Sequence, residues 1–452
     1  MLRVAEVRSA LGAQLLSERP GKARSFSGVT NDSRTARPDE LFVALKTESR
    51  DGHDFVPAAV EAGAAGVMVS DAADVPEGVA VFRVRDTKTS LGNLAAYWRQ
   101  RFLIRAIVVT GSLGKTTTKE LIAAVLGSQH SVLKSTANFN DEVGMSMTLL
   151  QLRNRHERAV LEVGMYEIGE IRRLCEIAKP EVAVVMNVGP NHMERLGTLE
   201  AIARAKAEAV EALPWTGSAV LNHDDPLVDA MRSKTKARPM TFGLSAGSEI
   251  RGSDVRSKGL DGVDFQVSMA GRALQAHSPL PGVDLVSDAL AAIAVAIADG
   301  MSLEHAVAAL RQAEVPSRLQ TKASKSGALI LDDCYNASPA STLAALSVLE
   351  ETPGRHLALL GDMLELGPAE EEGHRHVGER AAEVAQILYT VGPRGRIIAE
   401  AAREAGAPCV KHYDSKEEAA KALKEEAGEG DVLLVKASHG MALETVVAEL
   451  VG

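Results

Sequence analysis

Aromatic side chains are scarce in this 452-residue chain, with two Trp, five Tyr and eight Phe making up 3% of it. A platform that stacks nucleobases needs such rings, so their scarcity argues against single-stranded nucleic-acid binding. A surplus of positive charge is missing as well. Fifty Lys and Arg stand against sixty Asp and Glu, for a net charge of −10, whereas a phosphate backbone is held mainly by cations. No nucleic-acid partner is expected, although a local basic loop can still hold a small anion. Cysteine is limited to Cys175, Cys334 and Cys409, far apart and without a C-x-x-C pair. That pattern fits a reducing cytosol better than a cross-linked secreted fold. Long apolar runs are also lacking. The longest, ALAAIAVAIA at 289–298, reads as a buried helix, because a membrane span needs roughly 18 residues. Arg3, Glu6 and Arg8 break up the apolar core that a secretory leader requires. A cytoplasmic protein without a membrane span is expected.

What is present is an ordinary globular composition, 46% hydrophobic and 24% charged, which excludes a disordered or fibrous chain. At roughly 100–200 residues per domain the length predicts two to four domains. No repeat or low-complexity tract appears, so the architecture must come from periodicity. Residues 1–83 pattern as a small α/β unit. From 84 to 314 the order is β-α-β, with buried strands RAIVVT (105–110), AVLEV (159–163) and EVAVVMNV (181–188), then a Gly- and Ser-rich β excursion over 244–284. From 315 to 452, strands at 327–333, 356–362, 385–391 and 431–437 alternate with helical stretches. The prediction is three consecutive α/β domains: a central parallel sheet of P-loop type and a Rossmann-like C-terminal unit.

Between strand 105–110 and an amphipathic helix lies Gly111-Ser112-Leu113-Gly114-Lys115-Thr116-Thr117. Glycines let the backbone curl so that its N–H groups face phosphate oxygens, and the helix N-terminus adds a favourable dipole. Lys115 reaches for the outer phosphates and the Thr116 hydroxyl for Mg²⁺. The spacing departs from the strict motif, whose first glycine would fall at Val109. Binding of a nucleoside triphosphate is predicted. Glu162 lies inside an apolar strand, where a charge must be paired or coordinated. His192 follows the next strand, at the sheet edge where open α/β sheets bind ligands. Together they suit a hard divalent ion. Lys206 falls on the apolar stripe of a helix that Thr198 caps, with Leu199 and Ile202. Burial would make its amine available as a base or for covalent chemistry, while a snorkelling lysine or an ion pair explains it equally well.

These residues resemble the Mur ligases, the ATP-dependent amide-forming enzymes of peptidoglycan synthesis, over nearly the whole chain. The resemblance is carried by T-G-S-L-G-K-T-T-T-K-E (110–120), N-F-N-D-E-V-G-M (138–145), L-E-V-G-M (161–165), N-V-G-P-N-H-M-E (187–194) with A-R-A-K (203–206), and V-K-A-S-H-G-M (435–441). D-D-C-Y-N-A-S-P (332–339) and L-G-D-M-L-E-L-G (360–367) point within the family to the ligase that adds the terminal dipeptide. The resemblance implies UDP-N-acetylmuramoyl-tripeptide and D-alanyl-D-alanine as substrates, ATP and Mg²⁺ as cofactors, and a monomer. It implies magnesium ligands at Thr116, Glu162, His192 and Lys206, the last as a carbamate, and a γ-phosphate contact at Arg318. ATP would be held by Gly111 to Thr117, Asn140 and Asp333, the latter at the ribose. The substrate contacts implied are Ser33 and Arg34 at the UDP end, and Asn336, Pro339, Lys436 and Ser438 on the dipeptide side. D-S-R (32–34) and D-G-H (51–53) match the family's first-domain pattern. The family's G-x-H-N-x-x-N is here Gly282-Val283-Asp284-Leu285-Val286-Ser287-Asp288, which removes both asparagines from the adenine side. The alternatives are a sibling ligase, such as one adding the third residue or one of the folylpolyglutamate type, a non-catalytic nucleotide-binding paralogue, or a P-loop switch protein.

Overall fold

The computed structural model describes all residues except 48–49, 72–73, 137–138, 191–192 and 316–318. Among the described residues three large sheets follow one another along the chain, beside a two-stranded pair of Leu2–Arg3 and Ser25–Phe26. The first has the spatial order Leu15–Arg19, Ala80–Val84, Gly66–Val69, Leu41–Val43, Val29–Thr30, parallel except for its first pair. The helix that leaves it, Thr87–Arg99, turns Leu91, Leu94, Ala95 and Trp98 inward. They join Phe26, Leu41 and Phe82 of the first unit to Leu161 and Ile171 of the second in one apolar core. A helix with an apolar stripe must bury it, and this one buries it against both neighbours.

Arg99 pins that junction. It is 7% exposed, and its guanidinium donates to the carbonyls of Ala178 (3.0 Å), Phe102 (3.1 Å) and Ile104 (3.0 Å). Burial pulls its pKa down. Truncation would strand three carbonyls away from water, so Arg99→Ala should cost about 3 kcal/mol of stability, measured by urea unfolding.

The middle sheet orders its strands as Val132–Lys134, Arg158–Glu162, Arg105–Thr110, Val182–Val185, Ser218–Asn222, Arg238–Gly243, Ile250–Ser257, Val263–Met269, Arg272–Ser278. The first seven are parallel, as expected of continuous Val- and Ile-rich runs buried on both faces. The last two are antiparallel. The Gly- and Ser-rich stretch, expected as a small β excursion, extends the same sheet. A two-residue turn at Ala270 and Gly271, both at positive φ, joins its hairpin without a crossover helix. Strand Arg105–Thr110 lies at the point where the strand order reverses, and open α/β sheets carry their ligand crevice there. Helix Val286–Ala298, buried on nearly every side, packs beneath the helix that follows the phosphate loop.

The third sheet runs Gln320–Ala323, Leu329–Asp332, Asp431–Lys436, Arg355–Gly361, Ile387–Val391, Val410–Tyr413. It is parallel apart from its first edge strand. Pairing of Asp332 with Val435 brings Asp333 and Lys436 to neighbouring strand ends. None of the helices among the described residues is long and apolar enough to cross a membrane.

Candidate active site

The turn after strand Arg105–Thr110 is held from outside by the segment following strand Val182–Val185. Asn187 accepts from Leu113 N–H (2.8 Å) through its side-chain oxygen and donates to the Leu113 carbonyl (3.2 Å). The Ser112 hydroxyl donates to the Gly189 carbonyl (3.1 Å) and accepts from Gly189 N–H (2.7 Å). Gly114 sits at φ +80°, and a Cβ there would fall 2.8 Å from an oxygen of Asp288. Only glycine takes this left-handed conformation without strain, which leaves a backbone cradle for an anion. Lys115 begins the helix Lys115–Gly127 and folds back so that Nζ donates to the Gly111 (2.8 Å) and Ser112 (3.2 Å) carbonyls, across the mouth of the turn.

Glu162 ends its strand directly beside Val109. It is 1% exposed and receives the Thr116 hydroxyl (2.8 Å) and the Asn140 amide (3.0 Å). No lysine or arginine among the described residues pairs with it. A buried carboxylate facing a hydroxyl, with no organic cation as partner, is a hard-oxygen donor set that suits Mg²⁺.

Lys206 is 3% exposed on helix Leu199–Glu211, which Thr198 caps as expected. Burial first, and the nearby Lys115 ammonium second, lower its pKa well below the ordinary lysine value. No carboxylate among the described residues pairs with it, so the ion-pair alternative falls away. His192 and Arg318, the remaining pair expected here, lie outside the described residues.

Between the phosphate turn and the third sheet opens a cleft of ≈ 540 Å³. Leu113, Gly114 and Thr117 line it on one side, Asp333 and Lys436 on the other. Lys436, 2% exposed, donates to the Asp333 carboxylate (2.5 Å) and to the Asn336 carbonyl (2.8 Å). Pro339 is the first residue of helix Pro339–Glu351, with Ser338 as its cap. Buried Ser438 accepts from Leu364 N–H (2.9 Å) and donates to the Ala337 carbonyl (3.4 Å), so its hydroxyl supports this loop. Asn336, Pro339, Lys436 and Ser438 are thus gathered around Asp333.

Ser33 and Arg34 sit apart, on a turn of the first sheet. There the Arg34 guanidinium grips Asp32 at 2.6 Å and holds its carboxyl down at about 2. In the D-G-H segment, His53 Nδ1 lies 2.6 Å from Asp51, while His53 Nε2 accepts from Ser70 N–H at 3.0 Å. Both ring nitrogens are occupied, which makes that histidine a loop tie. Cys334 is buried with its thiol pKa raised by burial, consistent with no nucleophilic role.

Sequence reading missed the residues that shape this cleft. Asp288 does not face outward. It accepts the Thr118 hydroxyl (2.7 Å) and braces the phosphate turn. Leu280, Leu285, Leu343 and Val348 give the cleft apolar lining. Asn187 stood in the quoted motif N-V-G-P-N-H, and its position just past a strand end was the available signal.

A phosphate-binding turn at a switch point, a buried carboxylate beside it and a cleft closed by a second α/β unit define a nucleotide-dependent transferase or ligase. Family models for the Mur ligase family catalytic domain, the Mur ligase middle domain and the Mur ligase glutamate ligase domain match residues 25–99, 109–296 and 317–439. The chain belongs to the Mur ligase family of ATP-dependent ligases. It is 39% identical to the UDP-N-acetylmuramoyl-tripeptide–D-alanyl-D-alanine ligase of Bacillus subtilis, over 94% of this chain and 93% of that one. The crystal structure of MurF from Acinetobacter baumannii superposes with a TM-score of 0.88 at 30% identity, covering 99% of this chain and 98% of that one. MurF of Thermotoga maritima in complex with ADP gives 0.81 at 30% identity, over 94% and 96%.

Proposed function

We propose that this chain joins D-alanyl-D-alanine to UDP-N-acetylmuramoyl-tripeptide, consuming ATP and releasing ADP and phosphate. The observation that carries the reading is Glu162. It is buried at the edge of the phosphate turn, hydrogen bonded by Thr116 and Asn140, with no lysine or arginine partner among the described residues. The near full-length likeness to relatives bearing that name supports the choice of substrates.

The tripeptide carboxylate attacks the γ-phosphorus, giving an acyl phosphate and ADP. The dipeptide amine then attacks the acyl carbon and phosphate leaves. Little covalent chemistry falls to the protein, so its contribution is positioning and charge neutralisation. Gly111 to Gly114 would present N–H groups to the phosphates, with Lys115 swinging from its carbonyls onto the outer oxygens. Thr116, Glu162, His192 and a carbamylated Lys206 would hold Mg²⁺, which supplies positive charge opposite the developing phosphate charge. Arg318 would add a further cation from the third unit. Asp333, anchored by Lys436, would accept a ribose hydroxyl, and the Asn336–Pro339 loop would face the dipeptide. Ser33 and Arg34 would meet the UDP end. Closure of the cleft keeps water from the acyl phosphate. The three free cysteines support a cytoplasmic setting.

The test is ADP release with both substrates present and with each omitted, combined with the mass of the product. Absence of the pentapeptide product, or ADP release indifferent to the dipeptide, rejects the proposal in favour of a sibling ligase or a non-catalytic paralogue.

A further inference from the structure

A second pocket, of ≈ 220 Å³, shares no lining residue with the first and is reached from Glu162 through Asn140. The chain reaches it two residues after Glu162, at Gly164, whose N–H donates to the Asn140 carbonyl (2.8 Å). Asn140 therefore touches both Glu162 and this pocket. Met165 and Leu174, 5% and 2% exposed, form an apolar floor. Three charged residues at the starts of three helices form the rim: Lys88, Asp141 and Glu170.

The rim charges are not equally occupied. Asp141 accepts from Gly144 N–H (2.7 Å), and Glu170 from Glu167 N–H (3.1 Å). A neighbouring pair, Arg173 with Glu142 at 2.9 Å, neutralises itself. Lys88 is exposed at the rim and has no ion pair or hydrogen bond among the described residues. The pocket thus offers an apolar floor for methylenes, carboxylates for an ammonium and one uncommitted ammonium for an anion.

On the proposed reaction, which this inference rests on, the reacting carboxyl belongs to the third residue of the tripeptide. That residue's side chain must then lie within a few ångströms of the Glu162 end of the site. We propose that this pocket receives the third side chain, and that Lys88 makes the enzyme select a residue ending in both an ammonium and a carboxylate, such as diaminopimelate, over lysine. A lysine side chain would fill the floor and reach Asp141 or Glu170, but would leave Lys88 without a partner. The end carboxylate of a diamino diacid satisfies it with a charge-assisted bond.

The experiment compares kcat/KM for two UDP-linked tripeptides that differ in this residue alone, for the unaltered protein, Lys88→Gln and Lys88→Arg. The expected preference for diaminopimelate is about tenfold. It should fall to within about twofold of parity in Lys88→Gln and persist in Lys88→Arg. Equal use of both tripeptides by the unaltered protein, or a preference that survives Lys88→Gln, overturns the inference while leaving the ligase reading intact. Product from neither tripeptide rejects the ligase reading itself, and this inference with it.

Discussion

Lys206→Ala should lower kcat by about 10³-fold while the protein stays folded. Burial at 3% exposure and a nearby ammonium push the pKa of this amine well below the ordinary lysine value, which favours its neutral form, and no carboxylate among the described residues pairs with it. A neutral amine attacks CO₂: the nitrogen lone pair forms the C–N bond, one N–H proton leaves to solvent, and a carbamate anion remains. That product would place a negative charge near Lys115 and would supply a further oxygen ligand to a metal ion. Alanine removes the ligand and the compensating charge together, and losses of preorganised charge at a reacting centre run to about 10²–10³ in kcat or more. The carbamate predicts an intact-protein mass heavier by one CO₂ and activity restored by bicarbonate after acid treatment. A second signature lies in stability. With an unmodified Lys206 the folded pKa is below the unfolded one, so the unfolded chain binds more protons and stability rises with pH up to the ordinary lysine range. A carbamate abolishes that slope. A kcat within tenfold of the unaltered protein sinks the assigned role.

Lys115→Ala should cost about 10²–10³ in kcat/KM, read from ADP release at saturating tripeptide. In the structure its ammonium rests on the Gly111 and Ser112 carbonyls, so it need not cross solvent to reach a bound phosphate. The same bonds give the residue a role in shaping the turn itself. Lys115→Arg separates the two, because a guanidinium restores the charge without the compact point-like geometry of an ammonium. Partial recovery in Arg above Ala marks charge neutralisation as the larger part. Identical losses in both variants would place the effect in the turn's shape instead.

Much of the site was legible before folding because its parts announce themselves locally. Gly111 and Gly114 flank a strand–helix turn, and Glu162 is a charge within an apolar run. Lys206 repeats at helical spacing with Leu199 and Ile202. Each is a conflict between residue type and local pattern, and such conflicts mark functional positions. Asp288 misled for the converse reason. It reads as a lost base contact in a motif, yet in the structure it spends its carboxylate on Thr118 and the underside of Gly114. The pocket near Lys88 was invisible, since its floor and rim come from three separate stretches with ordinary local patterns.

Residue order alone was sufficient for the alternation of strands and helices, the phosphate turn and the family, because periodicity and short motifs are properties of contiguous chain. It could not place Asp333 and Lys436 against that turn, nor leave Glu162 without a cation and Lys88 without an anion among the described residues. Those outcomes depend on which distant strands and helices pack together. Whether a charge is compensated is a matter of neighbours within a few ångströms, and those neighbours are chosen by the fold.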